Sequence, residues 1–185
     1  MEKISLPDAA LIRSVLAGNK EDFKILVERY QQKIFSYLYH FLYQDRDTAE
    51  DITQSVFLKA YQNLNKVDTN RPFQPWLYRI AHNEAANYIR FRSRKKEVGL
   101  YGDQWDQIAG VEEKKNQERM ENRDLVHFAL GKIKTEYREI LLLYFYEEKS
   151  YEEISMILEI NINTVGTMLK RAKEQVEKRL RQMER

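Results

Sequence analysis

Apolar residues recur at intervals of three and four along most of the chain. Phe23, Leu26, Val27, Tyr30, Ile34, Tyr37, Leu38 and Phe41 keep this spacing without a break, which draws one stripe down a long helix. A shorter stripe from Leu11 to Leu16 precedes it and is closed by Gly18 and Asn19. A third helix is predicted to start at Asp47, where Asp47 and Glu50 have capping-box spacing, and to turn Ile52, Val56 and Ala60 inward. The stretch "NKVDTNRPFQP" is predicted as a loop, since Pro72 and Pro75 disfavour helix in the residues before them. A fourth helix follows from Trp76 to Lys96, with Leu77, Ile80, Ala81, Ala85 and Tyr88 on one side. Between about Lys95 and Met120 the period fails and Gly99, Gly102 and Gly110 appear, the pattern of a linker. Helical spacing resumes with Leu125, Phe128, Ala129, Leu130 and Ile133, continues through "YREILLLYFYEE", and ends in a C-terminal pair. The expected fold is all-α: two small helical domains, residues 1–96 and 122–185, joined by a flexible linker at 97–121.

Two polar faces stand out against this background. On the fourth helix Trp76, Asn83, Asn87, Arg90 and Arg94 form a second stripe beside the apolar one. Amides next to guanidinium groups can hydrogen-bond base edges and neutralise phosphates, and an ordinary solvated face is the alternative. Near the C-terminus, Ser150 and Glu153 make a capping box, "EININ" interrupts the helical period, and a new helix capped by Asn163 carries Val165, Leu169, Ala172, Val176 and Leu180 inward. This is the layout of a helix-turn-helix, whose second helix would present Asn163, Thr164, Thr167, Met168 and Arg171. The spacing alone equally allows a plain helical hairpin.

Composition sharpens the choice. The net charge of +2 hides segregation: between Arg79 and Lys96, six basic side chains face the single carboxylate Glu84, whereas "DRDTAED" and "YEEKSYEE" are acidic. Two basic faces, here and in "LKRAKEQVEKRLRQMER", beside acidic surfaces suit a chain that meets nucleic acid locally and something else through its acidic parts. There is no cysteine, so disulfides and thiolate metal sites are excluded. No apolar run approaches the ~18 residues of a membrane span, and "MEKISLPDAALIRS" lacks the pattern of an export signal. A cytoplasmic protein without membrane association is expected. His40, His82 and His127 lie far apart with no carboxylate at metal spacing, and no phosphate-binding glycine loop occurs. Catalysis, a metal and a cofactor are therefore not expected.

The stretches "DTAEDITQSVFLKAY", "FQPWLYRIAHNEAANYIRFRSRK" and "SYEEISMILEININTVGTMLKRA", in this order and spacing, resemble the group IV, or extracytoplasmic function, sigma factors of bacterial RNA polymerase. The resemblance implies a region-two domain, a linker, and a region-four domain, with core RNA polymerase and promoter DNA as partners and an anti-sigma factor as a further one. It implies that Asp51, Gln54 and Phe57 dock on the polymerase. It makes Phe73, Trp76, Asn83, Asn87, Arg90 and Arg94, with the loop from Asp68 to Pro75, the reader of the −10 element, while Arg92 and Lys95 add phosphate attraction. Asn163, Thr164, Thr167, Met168, Lys170 and Arg171 then meet the −35 element. Three departures accompany it: Glu84 stands toward the buried stripe, Glu159 occupies the turn where glycine is usual, and Gly166 and Met168 replace basic residues. A lysine at 166 is expected to restore a phosphate contact. The competing reading is a stand-alone helix-turn-helix regulator that binds duplex DNA unaided, with no need for the docking helix. Tyr101, Trp105 and Ile108 give the linker apolar residues that could dock on a partner or on a neighbouring domain.

Overall fold

A computed structural model describes residues 6–42, 45–97 and 129–183. The linker expected at 97–121, with Tyr101, Trp105 and Ile108, lies outside these residues apart from Glu97, as do Leu125, His127 and Phe128. Among the described residues the chain is helical, without a strand.

Four helices build the first domain: α1 (Asp8–Leu16), α2 (Asp22–Phe41), α3 (Arg46–Gln62) and α4 (Phe73–Glu97). Gly18, at φ +108°, turns the chain out of α1 in a conformation that side chains rarely adopt. Buried Asp22 then ties the corner, accepting from Ser14 Oγ at 2.5 Å and Asn19 Nδ2 at 3.0 Å. The Asp8 carboxylate reaches across to the Arg29 guanidinium and the Tyr30 hydroxyl. The cap of α3 is Asp45 rather than Asp47. Its carboxylate accepts from Thr48 N at 3.1 Å and Thr48 Oγ1 at 2.8 Å, and so satisfies a first-turn N–H.

α4 begins at Phe73, three residues before the expected start, with Pro75 inside its first turn. The first N–H groups of a helix have no helical acceptor, so a proline there forfeits nothing. A short 3-10 turn, Leu64–Lys66, precedes the loop and seats buried Leu64. Leu26, Ile34, Leu38, Ile52, Val56, Ala60, Leu77, Ala81 and Ala85 close the core as their spacing requires.

The second domain contains α5 (Thr135–Leu141), α6 (Tyr151–Leu158) and α7 (Ile162–Met183). α5 runs on into a π-helical turn over Leu142–Tyr146. The capping box of α6 is complete: Glu153 N donates to Ser150 Oγ at 3.2 Å and Ser150 N to Glu153 Oε2 at 2.9 Å. Glu159 ends α6 in the left-handed region at φ 54°, adopting the backbone conformation for which glycine is the usual residue. The cap of α7 is Asn161 and not Asn163, because Asn161 Oδ1 accepts from Asn163 N at 2.9 Å and its carbonyl from Thr164 N at 2.8 Å. Ile140, Leu143, Ile154, Ile157, Val165, Leu169 and Ala172 form the buried centre.

The two domains touch directly through α2 and α4 on one side and α5, its π turn and α6 on the other. Polar groups are buried in this contact. Glu139 accepts from the Tyr37 hydroxyl at 2.5 Å and lies 2.5 Å from His82 Nδ1. Arg138 donates to the Phe41 carbonyl at 3.0 Å. The Tyr78 hydroxyl donates to Glu147, and Lys149 Nζ sits 4.8 Å from the centre of the Tyr78 ring.

Candidate nucleic-acid and polymerase interface

α4 divides its side chains between two jobs by helical periodicity. Leu77, Ala81 and Ala85 enter the core, while Asn83, Asn87, Arg90 and Arg94 are exposed. Arg90 Nη2 donates to Asn87 Oδ1 at 2.7 Å, which leaves the Asn87 amide N–H groups directed away from the guanidinium. Phe73 is placed differently from a stacking platform. It is 3% exposed, packs edge-on against Tyr30 and lies beneath Trp76 at 5.5 Å between ring centres. Trp76 is half-buried and Tyr78 is fully buried. The spacing of the sequence contains an aromatic that the reading of the polar stripe passed over: Phe91 follows Asn87 by four residues, precedes Arg94 by three, and is 57% exposed. An apolar ring in a basic, solvent-facing stripe is the feature by which it could have been found.

Arg92 faces inward from this stripe. Its guanidinium donates to the Tyr88 hydroxyl at 2.9 Å and lies 3.7 Å from the Asp45 carboxylate. The Lys95 side chain lies outside the described residues.

On α3, Asp51 and Gln54 are exposed, whereas Phe57 is buried at 8% exposure and supports the helix from below. Leu58 and Tyr61 continue the exposed row one and two turns beyond Gln54, with Leu58 at 59%. An apolar row beside acidic residues suits a protein partner better than DNA. Glu84, which the sequence left facing the core, meets α3: Ser55 Oγ donates to one carboxylate oxygen at 2.8 Å and Lys59 Nζ to the other at 2.5 Å.

α6, the turn at Glu159 and α7 form a helix-turn-helix. Asn163, Thr164, Thr167, Lys170 and Arg171 are exposed together on α7, and Met168 is half-buried behind them. Thr167 Oγ1 donates back to the Asn163 carbonyl at 3.2 Å, which spends its donor within the helix. Gly166 points toward α6, since a Cβ there would stand 3.5 Å from Tyr151 Cε2. Glu159 pairs with Arg79 of α4 at 3.2 Å. Among the described residues no group of acidic and histidine side chains could hold a metal ion, and no helix is long and apolar enough to cross a membrane.

Electrostatics mark the contact between domains rather than the exposed faces. Burial alone would lower the His82 pKa, but the hydrogen bond and charge of Glu139 outweigh it, and the net shift is upward. Burial raises Glu147 and lowers Lys149. Burial and the neighbouring Glu139 hold the Tyr37 hydroxyl protonated far above its ordinary range.

Comparisons with known proteins agree with this geometry. Residues 26–95 match the Sigma-70 region 2 family and residues 123–176 the Sigma-70, region 4 family. The chain is 33% identical over 184 residues to the ECF RNA polymerase sigma factor SigW of Bacillus subtilis, covering 93% of this chain and 96% of that one. It is 31% identical to the RNA polymerase sigma-H factor of Pseudomonas aeruginosa, covering 94% and 93%. In fold it is similar to CnrH, solved in complex with the cytosolic domain of CnrY, with a TM-score of 0.67, 24% identity, and coverage of 92% and 94%. A polar, basic face on α4, a helix-turn-helix and similarity over more than nine-tenths of the chain to named sigma factors converge on one assignment: the chain belongs to the ECF RNA polymerase sigma factors.

Proposed function

We propose that this protein binds core RNA polymerase and directs it to promoters by reading a −35 element with α7 and a −10 element with α4, whose basic face also holds the melted strand. The observation that carries this reading is the separation of surfaces on one chain. α3 exposes an acidic and apolar row, α4 an asparagine and arginine row, and α7 a polar row at a helix-turn-helix. Asp51 and Gln54 are the polymerase contacts, with Phe57 supporting them. Asn83 and Asn87 select bases, Arg90 and Arg94 attract the backbone, and Trp76 over Phe73 closes the N-terminal end of the reader. Asn163, Thr164, Thr167, Met168, Lys170 and Arg171 meet the −35 element.

The domain bounds proposed are 1–96 and 122–185, with 97–121 between. The protein acts in the cytoplasm as an initiation factor and catalyses no reaction of its own. An anti-sigma factor is a proposed partner, in keeping with the RpoE fold neighbour solved in complex with the anti-sigma factor NepR from Bartonella quintana.

A stand-alone helix-turn-helix regulator would leave the exposed row on α3 without a role. Gel shifts on promoter duplexes with and without core polymerase separate the two readings. Promoter-specific binding is expected only with core, and equally tight specific binding by the free chain would overturn the proposal.

A further inference from the structure

We infer that Glu84 is a positioning residue for −10 recognition, holding the reading face of α4 at a fixed rotation against the polymerase-docking helix α3. The inference rests on the sigma-factor reading of these two helices and deepens it.

Three side chains of α4 spaced by four residues reach α3. Glu84 accepts from Ser55 and Lys59, the Tyr88 hydroxyl lies 3.2 Å from Thr48 Oγ1, and Arg92 bridges Tyr88 and Asp45. Residues four apart share a helix face, so these rungs form one polar seam. On α3 the partners Ser55 and Lys59 continue the stripe that begins at Asp51, again at intervals of four. The readers interleave with the seam: Asn83 precedes Glu84, Asn87 precedes Tyr88, and Arg90 lies between Tyr88 and Arg92.

Each residue step turns a helix by about 100°, and apolar packing of Leu77, Ala81 and Ala85 is non-directional. Apolar contacts by themselves tolerate small rotations of α4 about its axis. Hydrogen bonds to both oxygens of one carboxylate do not, because each demands its own direction. The Glu84 side chain is 14% exposed against 48% for Lys59, so the bond is sheltered on the side that sets direction. Rotating α4 would swing Asn83 and Asn87 away from the bases while leaving the exposed surface of α3 unchanged. Core affinity and −10 selectivity are therefore separable at Glu84.

The test uses the full chain with core polymerase and four variants: Glu84→Ala, Glu84→Gln, Lys59→Met, and the exchanged pair Lys59→Glu with Glu84→Lys. Core affinity, thermal midpoint and selection from a library randomised in the −10 element are measured on each. Glu84→Ala is expected to hold core affinity within about twofold and to flatten the preference for the best −10 sequence over single substitutions by about tenfold, the scale of a lost directional base contact. Glu84→Gln, which keeps an acceptor for Ser55, falls between, and the exchanged pair recovers selectivity over both Glu84→Ala and Lys59→Met. If Glu84→Ala does not fold, Lys59→Met reads the same coupling from the exposed end. Unchanged −10 profiles in the folded variants, or a uniform loss on every promoter in proportion to unfolded protein, overturn the inference while the sigma reading stands. Failure of the wild-type chain to bind core overturns both.

Discussion

Asp51, proposed as a polymerase contact, is a residue on which the fold itself places little demand. It is exposed on α3, while Ile52 and Val56 of the same helix enter the core. Asp51 lies beyond the first turn of α3, the part of a helix in which an acid gains ~0.3–1 kcal/mol from the dipole. Asp51→Arg is therefore expected to weaken co-purification with core polymerase by at least about tenfold, with a thermal midpoint within a few degrees of wild type; co-purification at the wild-type level would remove Asp51 from the docking surface. Gly166 shows the opposite case, where position revises an expectation. The sequence suggests that lysine here would restore a phosphate contact, but the Cβ direction leads to Tyr151 at 3.5 Å. Alanine fits at ordinary contact distance and gains up to about 0.8–1 kcal/mol of helix propensity. Gly166→Ala and Gly166→Lys should thus raise thermal stability or leave it unchanged, and the salt slope of promoter binding by the holoenzyme should match wild type in both. A slope steeper by about 0.9 for the lysine alone would show that the side chain does reach a phosphate.

At the scale of the element, α4 carries both what was legible in the sequence and what was not. Its apolar stripe, its polar stripe and its basic end are all functions of helical spacing, and Leu77, Ala81, Ala85, Asn83, Asn87, Arg90 and Arg94 lie where that spacing puts them. The start of the helix differs from the expected one because Pro75 signals an interruption within a helix but is harmless in its first turn. The caps of α3 and α7 shifted by two residues for a related reason: several capping residues stand in a row, "DRD" and "NIN", and only the three-dimensional path decides which side chain reaches the free N–H groups. Phe73 and Arg92 have the right chemistry for DNA, but Phe73 is buried against Tyr30 and half-buried Arg92 is engaged by Tyr88 and Asp45, tertiary contacts that local spacing does not encode. This difference in engagement yields a prediction for the two arginines. Arg94→Ala should reduce the salt slope of promoter binding by roughly 0.7–0.9, depending on whether it meets single or double strand, and weaken all promoters alike. Arg92→Ala should instead lower the thermal midpoint, with little change in slope. Asn87→Ala should alter the preferred −10 bases, as read from a promoter library, and an identical profile would reduce Asn87 to a partner of Arg90.

At the scale of the whole molecule, the contact between the two domains was invisible in the sequence, because Glu139, Arg138 and Lys149 read as surface charges of a helical hairpin until partners far away in the chain bury them. Their arrangement predicts a contact that responds to protons. His82 faces Glu139 from α5 and Tyr37 lies on the same carboxylate from α2; Glu159 adds negative charge from the end of α6, and Arg90 opposes it from α4. The net effect is a His82 pKa above its ordinary value when the domains are packed. A histidine whose pKa is raised by packing contributes stability that is fully present below the unpacked pKa and is lost as the pH rises through the packed one. Acidification toward the lower end of the histidine range should therefore tighten the contact, and a rise in pH through and above that range should loosen it. The absence of cysteine allows dyes to be placed cleanly at Gln32→Cys on α2 and Lys178→Cys on α7, both exposed. Energy transfer between them should fall as the pH rises across this window in the otherwise native chain. Glu139→Gln keeps an acceptor for Tyr37 but removes the charge, so transfer should then be lower at acid pH and nearly independent of pH. His82→Ala should likewise lose the dependence. Since a hydrogen bond to a charged group contributes about 1.5–3 kcal/mol, the midpoint of domain separation in denaturant should shift measurably for both variants at acid pH and converge with wild type at alkaline pH. A pH profile identical in wild type, Glu139→Gln and His82→Ala would place the proton response elsewhere, with Glu147 beneath Tyr78 the next group to test, because burial raises its pKa too and its stabilising effect would vanish in the same direction.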